Sequence, residues 1–231
     1  MYRDSYGIQR TGHYQWSKYD FINWLLEREG ATVIKTVIFD IGNVLVHFGW
    51  REVFEEFGLE GDELERFADA TVRHQAWVDL DEGIITTEEA KEAYAKEVPE
   101  HRDLIDRIYQ EMDKMLVQYD YAISWIKELK ERGYRIYILS NWSKPAYDAC
   151  KDTALSFLPF VDGAVFSYKE LMIKPNKKIY ELICNRYDIN PSEAVFIDDT
   201  EKNIIAAREY GLHGIHFTSY EQGRAELEEL L

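Results

Sequence analysis

The chain has 231 residues and a formal net charge of -16, with an isoelectric point near 4.8. That balance excludes a nucleic-acid partner, whose phosphates need a basic face, and it disfavours anionic membrane surfaces. A small phosphorylated metabolite stays admissible, because one lysine, backbone amides and a divalent cation neutralise it locally.

Residues 1–30 read as an N-terminal extension. A polar, aromatic start is followed by helical apolar spacing at Phe21, Trp24 and Leu25. Such a helix suits either the side of a domain or an oligomer contact, so monomer and homodimer both stay open. The segment has no signal-peptide core, and no apolar run in the chain reaches the length of a membrane span, so no membrane partner is expected. Two cysteines, Cys150 and Cys184, make no disulfide framework and point to a reducing, cytoplasmic compartment.

From Val33 the pattern becomes a near-continuous apolar run, TVIFD, suited to a parallel strand covered on both faces and ending at Asp40. Residues 49–118 then read as helices throughout. Trp50, Val53, Phe54 and Phe57 share one face, Thr86 and Glu89 form a capping box, and Leu104, Ile105, Ile108 and Met112 keep helical spacing over 101–116. No strand is expected in this stretch. A βα rhythm follows: helix 121–132 with Gly133 as its C-terminal stop, strand 135–140, strand 163–166, helix 177–187, strand 194–197, helix 201–210 between Thr200 and Gly211, and strand 214–217. The expected fold class is α/β: a three-layer, Rossmann-like sheet of about five parallel strands over 31–48 and 119–231, with an all-helical cap, 49–118, inserted after the first strand.

Polar residues stop the apolar runs in a telling order: Asp40 in VIFDIGNVLV, Ser140 in IYILSN, Lys174 in MIKPN, and Asp198 and Asp199 in VFIDDTEKN. Open α/β sheets bind ligands at such strand ends, and a Mg²⁺ site beside a phosphate needs these groups together. Taken singly, each has a plainer role. Asp40 suits a turn before Gly42, Ser140 with Asn141 a helix cap, Lys174 a solvated surface, and the Asp pair a helix start. Their convergence at successive strand ends favours a site.

These motifs resemble the haloacid dehalogenase superfamily, in particular its phosphatases with a small helical cap. The likeness covers about residues 33–218, and the phrasing FDIGNVLV, LSN, KPNKKIY and FIDDTEKNI is similar to the branch that holds alpha-D-glucose-1-phosphate phosphatase and the phosphatase domain of soluble epoxide hydrolases. The resemblance implies a Mg²⁺-dependent phosphomonoesterase in which Asp40 is the nucleophile and forms an aspartyl-phosphate. It assigns Mg²⁺ to the Asp40 carboxylate, the Gly42 backbone carbonyl and Asp199, with Asp198 holding a metal-bound water or orienting Lys174. Ser140 and the Asn141 amide would donate to phosphoryl oxygens, and Lys174 would supply compensating charge. Sugar phosphates, aldose 1-phosphates first, are the expected substrates.

One position departs from the family pattern. Most of these phosphatases carry a second Asp two residues after the nucleophile as general acid and base, where this chain has Gly42. An anomeric phosphate, whose leaving oxygen departs readily, would tolerate the gap. His47 and His74 are candidates to fill the role, and Arg73, His74, Trp77 and Asp79 are candidates for specificity, Trp77 stacking on a sugar face. Trp142 is placed at the entrance, and Tyr147 and Tyr168 in the core or at its rim. Two other classes stay open. A dehalogenase would use the same Asp on carbon without needing the Asp198–Asp199 pair, and a non-catalytic binding module has only Gly42 in its favour.

Overall fold

The computed structural model describes residues 33–231; the expected helix around Phe21, Trp24 and Leu25 lies outside the described residues. Strand β1, Thr36–Phe39, is followed by a short strand β2, Val46–Phe48. Helices α1 (Trp50–Glu56), α2 (Gly61–Ala70), α3 (Gln75–Glu82), α4 (Thr87–Glu97), α5 (Arg102–Gln110) and α6 (Met112–Met115) come next. Strand β3, Leu116–Gln118, closes this run. The chain then alternates: α7 (Ala122–Glu131), β4 (Arg135–Ser140), α8 (Lys144–Cys150), β5 (Gly163–Phe166), α9 (Ser167–Glu170), α10 (Lys177–Tyr187), β6 (Ala194–Asp198), α11 (Glu201–Tyr210), β7 (His213–His216) and α12 (Tyr220–Leu230).

Five strands pair in the order β5-β4-β1-β6-β7, every pair parallel. Alternating side chains explain the three layers. Val37, Phe39, Ile136, Ile138, Val195 and Ile197 enter one core with Trp125, Ile126 and Leu129 of α7. Ile38, Tyr137, Leu139, Val165 and Phe196 enter a second core with Ile179 and Ile183 of α10 and Ile204 and Ala207 of α11. Both faces are therefore covered, and this is why the central strands read as unbroken apolar runs.

The insertion departs from its expected form at its exit. Residues 116–118, expected in an all-helical stretch, pair antiparallel with Val46–Phe48. A three-residue strand has no periodicity of its own, and its partner lies some seventy residues back in the chain, so local pattern carries no trace of it. The helix expected over 101–116 is broken as well: a 3₁₀ turn at Pro99–His101 precedes α5, and α6 is separate. The capping box forms as read, Thr86 Oγ1 accepting from the Glu89 amide at 3.2 Å and Glu89 Oε2 accepting from the Thr86 amide at 2.8 Å. The last strand begins one residue earlier than expected, at His213.

Candidate active site

The chain runs from β1 to β4 and β5 on one side and returns to β6 and β7 on the other, so β1 marks the topological switch point where such sheets open a crevice. Phe39 is level with Ile138 and Ile197, and the Asp40 amide donates to the Ile197 carbonyl at 2.9 Å. That register sets the Asp40 carboxyl beside the end of β6.

Lys174 is 2 % exposed and its Nζ donates to Asp40 Oδ1 at 2.8 Å and to Asp198 Oδ2 at 2.6 Å. The reading of Lys174 as a solvated surface residue is thereby overturned. Its backbone is fixed by Asn141, whose Oδ1 accepts the Lys174 amide at 2.8 Å while its Nδ2 donates to the Lys174 carbonyl at 3.1 Å. Asp198 is saturated: besides Lys174 it accepts from the Thr200 amide at 2.8 Å and from Asn203 Nδ2 at 3.0 and 3.1 Å. Its two oxygens are thus both engaged by protein donors. Asp199 accepts from Asn43 Nδ2 at 3.0 Å and Thr200 Oγ1 at 3.2 Å and stays partly exposed.

Asp40, Asp198 and Asp199 bring one carboxylate oxygen each to within 4.8 Å of one another. One lysine against three acids leaves uncompensated negative charge. Burial first, and then the charges of Asp198 and Asp199, push Asp40 up to about 7 against the pull of Lys174. Burial works against the Lys174 ammonium, but Asp198 and Asp40 outweigh it and hold that amine above its ordinary value.

A cavity of about 230 Å³ opens over these groups. Asp40, Gly42, Asn43, Asn141, Lys174 and Asp199 line its floor, and Phe48, Trp77, Met112, Leu116, Trp142 and Ala146 line its apolar part. Ser140 sits at the end of β4 outside this wall, its hydroxyl buried and without a hydrogen-bond partner. The Trp142 indole N–H is buried and unpartnered too.

Three side chains at the site were not singled out from the sequence. Asn43 adopts a positive φ of 53°, which Asn tolerates, and links the turn after β1 to Asp199. Asn203 is recognisable only as a polar residue on the apolar side of α11. Asp81 projects from the last turn of α3 into the same cavity. Burial and the Asp40 charge push it up to about 7, against Lys174 and an amide hydrogen bond from Ser143.

The histidine candidates lie elsewhere. His47 Nε2 pairs with Glu52 at 3.0 Å, and His74 Nδ1 caps α3 by accepting from the Ala76 amide at 3.0 Å. Of the specificity cluster only Trp77 lines the cavity. Arg73 is drawn to Glu65 and Asp69, and Asp79 accepts from Gln75 one helical turn earlier.

Residues 34–211 match the haloacid dehalogenase-like hydrolase family. The chain belongs to that family. This hydrolase is 25% identical over 201 residues to the sesquiterpene phosphatase of Aspergillus oryzae, covering 87% of this chain and 98% of the relative. It is 24% identical to the D-ribitol-5-phosphate phosphatase of Bacteroides thetaiotaomicron, covering 86% and 99% of the two chains. Among solved structures, a HAD family enzyme of Bacteroides thetaiotaomicron in complex with magnesium and inorganic phosphate superposes with a TM-score of 0.64 at 24% identity, covering 81% of the hydrolase and 96% of that chain.

Proposed function

We propose that this hydrolase is a Mg²⁺-dependent phosphomonoesterase acting on a small phosphorylated metabolite through an aspartyl-phosphate on Asp40. The observation that carries the reading is the Asp40–Lys174–Asp198–Asp199 constellation at one strand edge, with more negative charge than one lysine balances. Hard carboxylate oxygens suit Mg²⁺, so Asp40, Asp199 and the Gly42 carbonyl would hold the ion, while Asp198 keeps Lys174 in line. Bound there, Mg²⁺ offsets the repulsion between a carboxylate nucleophile and a phosphate dianion. The phosphatases among its relatives and the magnesium and phosphate in a structural neighbour support the same chemistry.

Helices α1 to α6 act as the cap in this reading: Trp77, Asp81 and Met112 roof the cavity and keep bulk water from the aspartyl-phosphate. A cavity of about 230 Å³ favours a small substrate. An aldose 1-phosphate keeps the Trp77 stacking surface but loses Arg73, His74 and Asp79 as hydroxyl partners. The apolar wall of Phe48, Met112, Leu116 and Trp142 supports a second reading, the monophosphate of an apolar alcohol. Mg²⁺-dependent phosphate release from p-nitrophenyl phosphate tests the activity, and a panel of aldose 1-phosphates and prenyl monophosphates tests the choice. Asp40→Asn should abolish turnover and Asp199→Asn should raise the Mg²⁺ concentration needed for half-maximal rate. Turnover retained in both variants would contradict the assignment.

A further inference from the structure

A phosphatase working through Asp40 has to protonate the departing oxygen and later take a proton from water, and the position two residues beyond Asp40 has no side chain to do either. The space for one is open: a Cβ on Gly42 would meet only Asp40 Oδ2, at 4.0 Å. The carboxyl that does reach this cavity from outside the strand ends is Asp81, on α3 of the helical insertion.

Backbone contacts fix the end of α3 there. Ser143, the residue that caps α8, lines the same cavity. The Asp81 carbonyl accepts from Ser167 Oγ, and Ser167 in turn accepts from the Trp142 amide at 2.8 Å. The end of α3 is therefore tied through Ser167 to Trp142 in the loop after β4, and Trp142 belongs to the apolar wall of the same cavity. A partly buried carboxyl beside another negative charge is the kind that carries a proton at neutral pH.

We infer that Asp81 is the general acid and base of this hydrolase, supplied by the insertion in place of the residue missing at Gly42. The inference rests on the phosphatase reading above. In the first half-reaction the Asp40–phosphorus bond forms, the ester P–O bond breaks, and the Asp81 proton goes to the leaving oxygen. In the second, the Asp81 carboxylate takes a proton from water, the water oxygen bonds to phosphorus, and the Asp40–phosphorus bond breaks to release inorganic phosphate.

The test is leaving-group dependence. kcat/KM reports steps up to departure of the alcohol, so it isolates the acid role from the later water step. Asp81→Asn should lower kcat/KM for alkyl monophosphates by about 10² to 10⁴ and for p-nitrophenyl phosphate by less than about tenfold, since nitrophenolate leaves without a proton. Equal losses on both esters, or no loss on either, overturn the role of Asp81 while the phosphatase reading stands. Wild-type protein that releases phosphate from neither ester overturns both. Gly42→Asp, made in the otherwise unaltered chain, gives an answer that does not depend on how Asp81→Asn folds. With Asp81 already acting, the added acid should leave the alkyl-to-aryl ratio within about threefold of wild type. A rise of about tenfold or more in that ratio would mean that the cavity had no acid.

Discussion

Lys174 carries a heavy electrostatic burden. Its ammonium is enclosed between Asp40 and Asp198 with its side chain 1 % exposed, and both acids lose their main counter-charge if it goes. Removing one partner of a buried ion pair typically destabilises by about 3–5 kcal/mol. Lys174→Met should therefore lower the unfolding free energy of the metal-free protein by roughly that amount at neutral pH, read by urea denaturation. The loss should shrink in acid, where the stranded carboxyls protonate. A loss under about 1 kcal/mol would mean that solvent or rearrangement replaces the lysine, and would also remove the reason for calling Asp198 its orienting partner. At this scale the sequence was informative because a small charged residue ending an apolar run has few places to go. Asp81 was silent for the opposite reason: VDLDEG is an ordinary polar helix end, and its direction toward Asp40 depends on how the insertion folds back.

Among elements, α3 is the one whose placement decides the site. Its last turn carries Asp81, and its end is set by Gly83, which has a φ of 79°. A Cβ there would stand 2.6 Å from the Tyr168 carbonyl oxygen and 3.0 Å from its Cα, so the helix end is pressed against α9. Gly83→Ala imposes both a left-handed non-glycine residue and a clash with backbone. It should cost about 1–3 kcal/mol, visible as a lowered Tm, and should reduce turnover of alkyl phosphates more than aryl ones as Asp81 is displaced. Unaltered Tm and unaltered ester selectivity would show that the contact is slack. The long elements were legible. The strands at 135–140 and 163–166 and the helices at 177–187 and 201–210 stand where apolar period and turn residues put them. The β2–β3 ribbon was not, since pairing Val46–Phe48 with Leu116–Gln118 is a decision made by packing across the whole insertion.

For the whole molecule, the acidic site sits within a chain of net charge -16, and the proposed metal binding would link ion affinity to stability through Asp40. Its folded-state value of about 7 lies above the ordinary 3.8. A raised acid contributes stability that is fully present below the unfolded value and is lost as pH rises through the folded one. The metal-free protein should therefore weaken between about pH 4 and pH 7 from this group. A divalent cation held as proposed by the deprotonated carboxylates would release the proton, so its affinity should rise over the same interval and level off above it. Mg²⁺ at a fixed millimolar concentration should accordingly raise Tm more at about pH 8 than at about pH 5.5, by RT ln(1 + [L]/Kd) with Kd falling as pH rises. Asp40→Asn removes both the titrating group and the proposed ligand, and should flatten that difference. Equal Mg²⁺ stabilisation at the two pH values, or the same pH dependence in Asp40→Asn, would uncouple Asp40 from the ion and leave the excess charge of the site without its balancing cation.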